Sequence, residues 1–271
     1  MPAEQDKAFT GAIAELYARY LVPLLFEPYA RDLAERVKRV HPGRVLEIAA
    51  GTGVVTKALA AALPQAAQIV ATDLNPAMLD VARSELSADT RIQWKQADAL
   101  ALPFQDRSFD VVVCQFGVMF FPDRSQGFRE VFRVLRASGA FVFNVWDDLQ
   151  HNEFAEVVTR TLEQVFPRDP PRFLVRIPHG YHDSDEIQRE LLAAGFTQAK
   201  IETLDGMSRC TSPRDAALGY CQGTPLHNEI VARDPSRMEE AVRRATEALA
   251  SRFGNGPIEG RIRALIVIAT R

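Results

Sequence analysis

The sequence predicts an α/β protein with a doubly wound, mostly parallel sheet of seven strands and a helical cap. Short apolar segments alternate with amphipathic helical segments through the middle of the chain, as in successive βαβ units. A glycine-containing turn, AAGTG at residues 49–53, joins the first apolar segment to a helical Ala/Leu stretch. The chain has 271 residues, 47% of them hydrophobic, which suffices for one large domain with its own core.

The elements follow from local patterns along the chain. Residues 1–43 are predicted to form an N-terminal helical lid, because AIAELYARY and FEPYARDLAERVKRV repeat apolar residues at helical spacing. Pro23 and Pro28 mark bends or helix starts in this lid. Strands are predicted at residues 44–49, 68–73, 91–98, 109–115, 140–146, 199–204 and 262–271.

Helices are predicted between these strands. Asn75 can cap a helix over residues 75–86, and SQGFREVFRVLR at 125–136 is amphipathic. Residues 44–146 are predicted to be the cofactor-binding core. Residues 147–271 are predicted to add cap helices and loops together with the last strands of the core sheet, so that the chain is a single domain with insertions.

Composition excludes several classes of function. The formal net charge is −3, so no basic excess favours nucleic acid, and we expect the protein not to bind it. The N-terminal sequence lacks the pattern of a signal peptide, and the longest apolar stretch, residues 111–122, is too short to span a bilayer. The three cysteines are scattered, which argues against a disulfide framework or a metal site. We therefore expect a cytoplasmic protein without a membrane span or a bound metal. The sequence does not indicate the oligomeric state.

The glycine turn predicts close approach of a ligand to the backbone at the carboxyl end of the first strand. Gly51 and Gly53 begin like the dinucleotide fingerprint, but Thr56 stands where that fingerprint needs a third small residue. The Gly-Lys-Ser/Thr sequence of a phosphate-binding loop is absent as well. A turn without any ligand is the alternative interpretation of the two glycines.

Acidic residues mark the ends of the first three predicted strands. These are Glu47, Asp73 and Asp98. Three carboxylates at one edge would repel the phosphates of a dinucleotide. They suit a ligand that carries hydroxyl groups, an exocyclic amine and a positive charge, a description that S-adenosylmethionine fits.

Four segments in this order resemble the motifs of class I S-adenosylmethionine-dependent methyltransferases, which have a Rossmann-like fold. They are LEIAAGTG, ATDLNPAMLDVAR, ADALALPFQDRSFDVVVCQFGVMFFPD and FREVFRVLRASGAFVFNVW. The chain is most similar to the group that includes the ubiquinone/menaquinone-biosynthesis enzymes, also called the methyltransferase type 11-like group. The resemblance covers roughly residues 44–146. It implies S-adenosyl-L-methionine as cofactor, S-adenosyl-L-homocysteine as product and a small-molecule methyl acceptor.

The resemblance also implies roles for the first motif. Glu47, Gly51 and Gly53 match residues that hold the methionine and sulfonium end of the cofactor. Ala49 departs from the family, which usually has glycine there; a side chain at this position is unstrained only if φ is negative.

The later motifs imply the remaining cofactor contacts. Asp73 matches the acid that binds both ribose hydroxyls, and Leu74 and Met78 would flank the adenine, although Met78 fits plain helix core equally well. Asp98 would accept from the adenine amine, and the Ala99 backbone N–H would meet a ring nitrogen. Two further residues are implied at the methionine end of the cofactor. They are Gln115, near the amino group, and Tyr20, near the carboxylate. A polar cap at the strand end is the alternative role for Gln115, and packing of the lid is the alternative for Tyr20, which fits it at least as well.

The acceptor side is expected to come from the cap, and no catalytic residue is identified. Tyr17 and Tyr20 lie on the N-terminal segment that in similar enzymes folds over the cofactor. An apolar pocket is expected from Phe116, Met119, Phe120 and Trp146, although core packing explains them as well. Candidate bases are His179, His182 and His227, and candidate anion-binding residues are Arg172 and Arg176; a surface or capping role fits each of these five at least as well.

The sequence therefore favours methyl transfer to a small, apolar or aromatic molecule by in-line displacement. A non-catalytic S-adenosylmethionine-binding protein remains an alternative, because methyltransferases have no diagnostic catalytic residue. A nicotinamide-dependent oxidoreductase is a second alternative, which Thr56 and the spacing of the first motif disfavour.

Overall fold

The computed structural model describes residues 12–271, and its centre is a sheet of seven strands in the order β3-β2-β1-β4-β5-β7-β6. The first five strands run parallel, whereas β7 is antiparallel to both β5 and β6. This confirms the predicted fold class. The strands are β1 (Arg44–Glu47), β2 (Gln68–Asp73), β3 (Ile92–Gln96), β4 (Phe109–Gln115), β5 (Leu135–Trp146), β6 (Gln198–Cys210) and β7 (Ile258–Thr270).

Helices cover both faces of this sheet and continue beyond its carboxyl edge. The N-terminal Tyr17–Phe26 segment is a π-helix that contains Pro23, and the next helix has Pro28 in its first turn. The α-helices are α1 (Ala12–Leu16), α2 (Glu27–Lys38), α3 (Val54–Ala62), α4 (Pro76–Glu85), α5 (Arg124–Val134), α6 (Glu153–Val165), α7 (Phe173–Arg176), α8 (Ser184–Ala193), α9 (Pro213–Gln222), α10 (Leu226–Arg233) and α11 (Met238–Phe253). The 3₁₀ turns are Val118–Phe120, Leu149–His151 and Pro235–Arg237.

The order of the strands places a binding crevice at the glycine turn. The sheet grows in opposite directions from β1, toward β2 and β3 on one side and toward β4 on the other. Ligands of open α/β sheets bind at such a reversal, outside the carboxyl ends of the strands. The turn at residues 48–53 follows β1 at that point.

The core lies on both faces of the central strands. The side chains of Val45, Leu46 and Val112 are fully buried, as parallel strands covered by helices on both faces require. Phe128 of α5 packs against Phe141 of β5, with ring centroids 6.0 Å apart. The start of the predicted N-terminal lid, residues 1–11, lies outside the described residues.

Three strand boundaries differ by more than two residues from those predicted. β5 begins at Leu135, directly after α5, because Leu135 pairs with Phe109 before an irregularity in the ladder. β6 and β7 extend their antiparallel pairing as far as Cys210 and Ile258. Ion pairs between the two strands explain why apolar patterning misses this extension, since they give it a polar face. They are Arg209 with Glu259 at 2.7 Å and Arg263 with Asp205 at 2.6 Å.

Candidate functional site

Two adjacent cavities lie beyond the carboxyl ends of the strands. The strand-end cavity has about 900 Å³ of atom-free space and is lined from β1, β2, the segment after β3 and the segment after β4. The cap cavity has about 620 Å³ and is lined mostly by apolar side chains from the π-helix, the cap and the end of β5. The two share three aromatic residues in their linings, Tyr17, Phe116 and Phe120.

Asp73 is the most strongly held carboxylate in the strand-end cavity. One of its oxygens accepts a hydrogen bond from the Gly51 backbone N–H and the other from the Asn75 backbone N–H, each at 2.8 Å. Burial nevertheless raises the pKa of this carboxyl above its usual range. Each oxygen keeps a lone pair beyond these bonds, so the group can accept two further hydrogen bonds. Asn75 caps α4 as predicted, since its side chain accepts from the Ala77 N–H at 3.0 Å.

The turn after β1 is built from backbone in the left-handed region. Gly51 has φ +55°, and a β-carbon there would have no heavy atom within 4 Å, so its Cα faces open space in the cavity wall. Ala49 also lines the cavity and has φ +54°, not the negative value under which a side chain is unstrained. The turn therefore exposes its backbone to the cavity, at the cost of strain at Ala49.

Glu47 and Gly53 lie behind the cavity wall. Glu47 is 2% exposed, and its carboxylate accepts a 2.6 Å hydrogen bond from the Thr56 hydroxyl. Burial raises the pKa of Glu47 to about 8. A β-carbon on Gly53 would lie 2.9 Å from the Ala82 β-carbon, so this glycine permits close packing of α3 on α4. Neither residue lines the cavity, and their contact with a ligand stays a prediction.

The segments that follow β2 and β3 also line the strand-end cavity. Leu74 is 48% exposed and Met78 is buried, and both line the strand-end cavity. Asp98 is exposed and accepts from the Leu100 N–H at 2.9 Å, and Ala99 lines the cavity beside it. The structure therefore brings both segments to one space as the motifs predict, while their roles toward a ligand stay predictions.

Gln115 lines the strand-end cavity and has one unsatisfied polar atom. Its amide N–H donates to the Phe26 carbonyl at 3.3 Å, whereas its Oε1 is buried without a hydrogen-bond partner among residues 12–271. A buried acceptor without a partner costs roughly 1–3 kcal/mol. A ligand with an N–H donor at this position would remove that cost.

The π-helix brings Tyr17 rather than Tyr20 to the cavities. Tyr17 lines both of them, and its ring stacks on Phe26 with centroids 5.2 Å apart. Tyr20 lines neither cavity; it packs near Gly219 of α9, and the Arg19 guanidinium lies 5.1 Å from its ring centroid. The proximity of Tyr20 to a ligand stays a prediction, and Tyr17 is the nearer of the two residues to the site.

Aromatic rings form the wall of the cap cavity. Phe116 stacks on Trp146, with centroids 3.8 Å apart and planes within 6°. Phe26 lies 5.6 Å from Phe116, and Met119 and Phe120 complete the apolar surface that the sequence predicts after β4. Such a wall favours a flat apolar molecule.

The three candidate histidines have different surroundings. His179 lines the cap cavity, is 7% exposed and makes a 2.8 Å hydrogen bond through Nδ1 with the Asp147 carbonyl. His182 is half-exposed, with Nε2 3.5 Å from the Asp148 carboxylate. His227 lines neither cavity. The structure thus places one of the three at the site.

The candidate arginines lie at the surface of the cap. Arg176 forms a 2.9 Å ion pair with Glu229, and the Arg172 backbone N–H donates to the same carboxylate at 2.7 Å. Both arginines are exposed and neither lines a cavity. Their contacts join α7 to α10.

Some residues that line the strand-end cavity are hard to recognise as site residues from the sequence. Gly117 lies in an apolar run, yet a β-carbon there would fall 2.6 Å from the Ala49 β-carbon and 2.7 Å from the Cys114 sulfur. Glycine is therefore required where the turns after β1 and β4 meet. Ile48 and Thr72 also line the cavity, and nothing in their local sequence distinguishes them from core residues.

The described part of the chain contains neither a metal-binding cluster nor a helix suited to crossing a bilayer. Within residues 12–271, no cluster of three or more His, Cys, Asp or Glu side chains is arranged to hold a metal ion. None of the helices described there has both the length and the apolar character to cross a bilayer.

Comparison with known proteins identifies the type of domain. Residues 46–143 match the family model described as a methyltransferase domain. The chain is 39% identical to a demethylmenaquinone methyltransferase of Deinococcus radiodurans, over 52% of this chain and 58% of that protein. It is 32% identical to the ubiquinone/menaquinone biosynthesis C-methyltransferase UbiE of Xylella fastidiosa, over 60% of this chain and 69% of that protein.

Solved structures agree with the fold. The crystal structure of the YcgJ protein from Bacillus subtilis superposes with a TM-score of 0.56 and 20% identity, covering 89% of this chain and 98% of that one. At this level of identity the likeness concerns the fold alone. The alignment covers somewhat more than half of the first curated relative, at 58% of its length.

Proposed function

The chain belongs to the class I S-adenosylmethionine-dependent methyltransferases of the ubiquinone/menaquinone-biosynthesis type, and we propose that it transfers a methyl group to a small, apolar or aromatic acceptor. The observation that carries the proposal is the pair of adjacent cavities. One has carboxylates and an unpaired amide oxygen, the other has an apolar wall, and three aromatic residues belong to both.

The strand-end cavity has the chemistry that S-adenosylmethionine requires. The free lone pairs of Asp73 suit the two ribose hydroxyls, because each oxygen is already fixed by one backbone N–H. The unpaired Oε1 of Gln115 suits the methionine ammonium group. Leu74 and Met78 offer apolar surface to the adenine, and Asp98 offers an acceptor for its amine.

Glu47, Gly53 and Tyr20 support the site indirectly in this proposal. The bond from Thr56 to Glu47 fixes the first turn of α3 behind the glycine turn. Gly53 lets α3 approach α4, and Tyr20 packs the lid against α9. In this proposal the lid is residues 1–43, the cofactor-binding core is residues 44–146 and the cap is residues 147–271.

The cap cavity is the proposed acceptor site. When bound, S-adenosylmethionine supplies a methyl group on a positively charged sulfur that is already activated for displacement. The chain has to hold the acceptor in line and exclude water, and positioning of this kind can contribute ~7–11 kcal/mol. Tyr17, Phe116 and Phe120 line both cavities, which supports transfer at the boundary between them.

The acceptor class follows from the wall and from the relatives. Phe116 and Trp146 stack on each other and give the cap cavity an aromatic wall, against which an apolar ring packs well. The two curated relatives are named as methyltransferases of demethylmenaquinone and of ubiquinone/menaquinone biosynthesis. A reduced naphthoquinone is therefore the first acceptor to test.

Two measurements test this function. Calorimetric titration with S-adenosylhomocysteine is expected to give saturable binding to the purified protein. Incubation with methyl-labelled S-adenosylmethionine and dithionite-reduced 1,4-naphthoquinone is expected to give a labelled organic product, which Asp73→Ala reduces strongly. Absence of S-adenosylhomocysteine binding would overturn the cofactor assignment. Binding without transfer to any of a panel of reduced quinones and phenols would instead favour the non-catalytic alternative.

A further inference from the structure

His179 occupies a position in the cap cavity that the cofactor does not explain. It lies in the loop before α8 and is 7% exposed. Its Nδ1 bonds to the carbonyl of Asp147, the residue that follows β5, at 2.8 Å. The imidazole is thereby attached to the end of a core strand, so its orientation is fixed by the sheet and not by the loop alone.

The bond to Asp147 determines which nitrogen of His179 can meet a ligand. A carbonyl only accepts, so Nδ1 carries the hydrogen and Nε2 presents a lone pair. Burial lowers the pKa of His179 to about 4, and the ring is therefore neutral at pH 7. Beyond the bond at Nδ1, the ring makes no further hydrogen bond with residues 12–271.

Other polar side chains of the cap cavity already make hydrogen bonds within the protein or can donate a hydrogen bond, unlike Nε2 of His179. Asn152 donates to the carbonyls of Asp147 and Asp148 at 3.2 and 3.0 Å. The Thr224 hydroxyl donates to the Tyr220 carbonyl at 2.8 Å. Burial raises the pKa of the Tyr220 phenol, which therefore stays protonated and can donate. Neutral His179 differs from that phenol because Nε2 can only accept.

The distances place the His179 ring beside the proposed acceptor surface. The His179 ring lies 6.2 Å from the Trp146 ring, centroid to centroid, and Trp146 stacks on Phe116 at 3.8 Å. Phe116 belongs to both cavities. A molecule that fills the cap cavity would therefore contact His179 as well as the ring that this cavity shares with the strand-end cavity.

Resting on the proposed function, we propose that His179 orients the methyl acceptor by accepting a hydrogen bond at Nε2 from a hydroxyl group of that molecule. His179 is then a specificity residue of the acceptor site. An acceptor without a hydroxyl would leave Nε2 unpaired in an apolar cavity, and it would be discriminated against for that reason.

The test compares two probes that differ in one hydrogen-bond donor, 1-naphthol and 1-methoxynaphthalene. Each is titrated calorimetrically into the protein with and without saturating S-adenosylhomocysteine. The expected result for the unmodified protein is about tenfold or more tighter binding of 1-naphthol, since one such bond is worth about 1.4 kcal/mol. His179→Phe keeps a ring of similar size and is expected to bind the two probes within about twofold of each other.

Two further variants separate recognition from a structural role. His179→Gln can place a carbonyl oxygen near the Nε2 position and is expected to restore part of the preference. His179→Asn can keep the donor to the Asp147 carbonyl without an acceptor at Nε2, and it is expected to lose the preference even if the Phe variant does not fold. His182→Phe, which changes a half-exposed histidine outside the cavity, serves as the matched control and should preserve it.

The results that would overturn the role of His179 differ from those that would overturn the proposed methyltransferase function. Equal binding of both probes to the unmodified protein, or binding of neither, overturns the role of His179. So does a preference that survives in both His179→Phe and His179→Asn. Failure of S-adenosylhomocysteine to bind counts against the methyltransferase proposal alone, because the preference between the two probes is also measured without it.

Discussion

The Asp73 carboxylate accepts a 2.8 Å hydrogen bond from the Gly51 backbone N–H, and this bond ties the end of β2 to the glycine turn after β1. The other carboxylate oxygen accepts from Asn75 at the start of α4. Asp73 is thus a junction of three segments as well as a proposed ligand for ribose. Asp73 is partly buried, and its two bonds to backbone N–H groups fix the carboxylate in place.

Replacement of Asp73 should therefore affect both binding and folding. Asp73→Ala removes two charge-assisted bonds to the ribose hydroxyls, and we expect a loss of about 2–4 kcal/mol, or roughly 30- to 1,000-fold in Kd for S-adenosylhomocysteine. Two backbone N–H groups also lose their acceptor, which should lower the free energy of unfolding by about 1–3 kcal/mol. Calorimetry and urea titration measure the two effects.

The matched control for Asp73 is Asp80, which lies in α4. Its side chain is exposed and pairs only loosely with Arg83, at 3.6 Å. Asp80→Ala should change neither affinity nor stability by more than about 0.5 kcal/mol. A less than threefold change in affinity for Asp73→Ala would mean that this carboxylate does not hold the ribose.

Gly51→Val should abolish cofactor binding while the protein still folds. The β-carbon would enter open space in the cavity wall, and φ of +55° makes any side chain there strained. Gly254 offers a control for strain alone, because its φ is +103° and a β-carbon there also meets nothing within 4 Å. Both valine variants should melt at lower temperature, but only Gly51→Val should lose S-adenosylhomocysteine binding. Normal binding by Gly51→Val would show that the turn has been misassigned.

The fold was predictable because its signals are local. Strand-end acids, the turn residues and the cap at Asn75 are all read from adjacent positions, and the structure places them at one edge of the sheet. Apolar patterning fails at the extension of β6 and β7, where opposed charges such as Arg209 and Glu259 replace apolar alternation.

The site was less predictable because it depends on which residues meet across the sheet. Tyr17 and Tyr20 are three positions apart on one segment, yet the π-helical turn brings the first to the cavities and the second to α9. Similarly, the loop before α8 packs against the end of β5 and brings His179 to the cap cavity, whereas His227, on α10, lines neither cavity. No local pattern encodes these contacts.

Glu47 should make the stability of the unliganded protein fall between about pH 4.5 and pH 8. Its pKa is raised to about 8 by burial, so the folded state binds the proton more tightly than the unfolded state does. The resulting stabilisation is complete below pH 4.5 and is lost as the pH rises through 8. Glu47→Gln cannot ionise, and we expect it to exceed the unmodified protein in unfolding free energy by about 1–3 kcal/mol at pH 8.5.

The difference between the two proteins isolates this residue. The lowered pKa of His179 acts in the opposite direction between about pH 4 and 6.5, but it is present in both and cancels. Urea denaturation at pH 5, 6, 7 and 8.5 gives the required series. Parallel curves for Glu47→Gln and the unmodified protein would show that Glu47 titrates normally.

Gln115 should distinguish the two ends of the cofactor. Its unpaired Oε1 is proposed to accept from the methionine ammonium group, which S-adenosylhomocysteine has and 5′-methylthioadenosine lacks. Gln115→Met keeps the size of the side chain, loses the 3.3 Å bond to Phe26 and removes the buried unpaired oxygen, so stability should change by less than about 1 kcal/mol. Affinity for S-adenosylhomocysteine should fall roughly tenfold, since a hydrogen bond to a charged group is worth about 1.5–3 kcal/mol, while affinity for 5′-methylthioadenosine stays within about twofold.

Asp73→Ala provides the converse, because the ribose is common to both ligands and both should bind more weakly. Calorimetric titration of each ligand into the two variants gives the comparison. An equal loss of both ligands in Gln115→Met would place this side chain away from the amino group and leave its buried oxygen without the proposed partner.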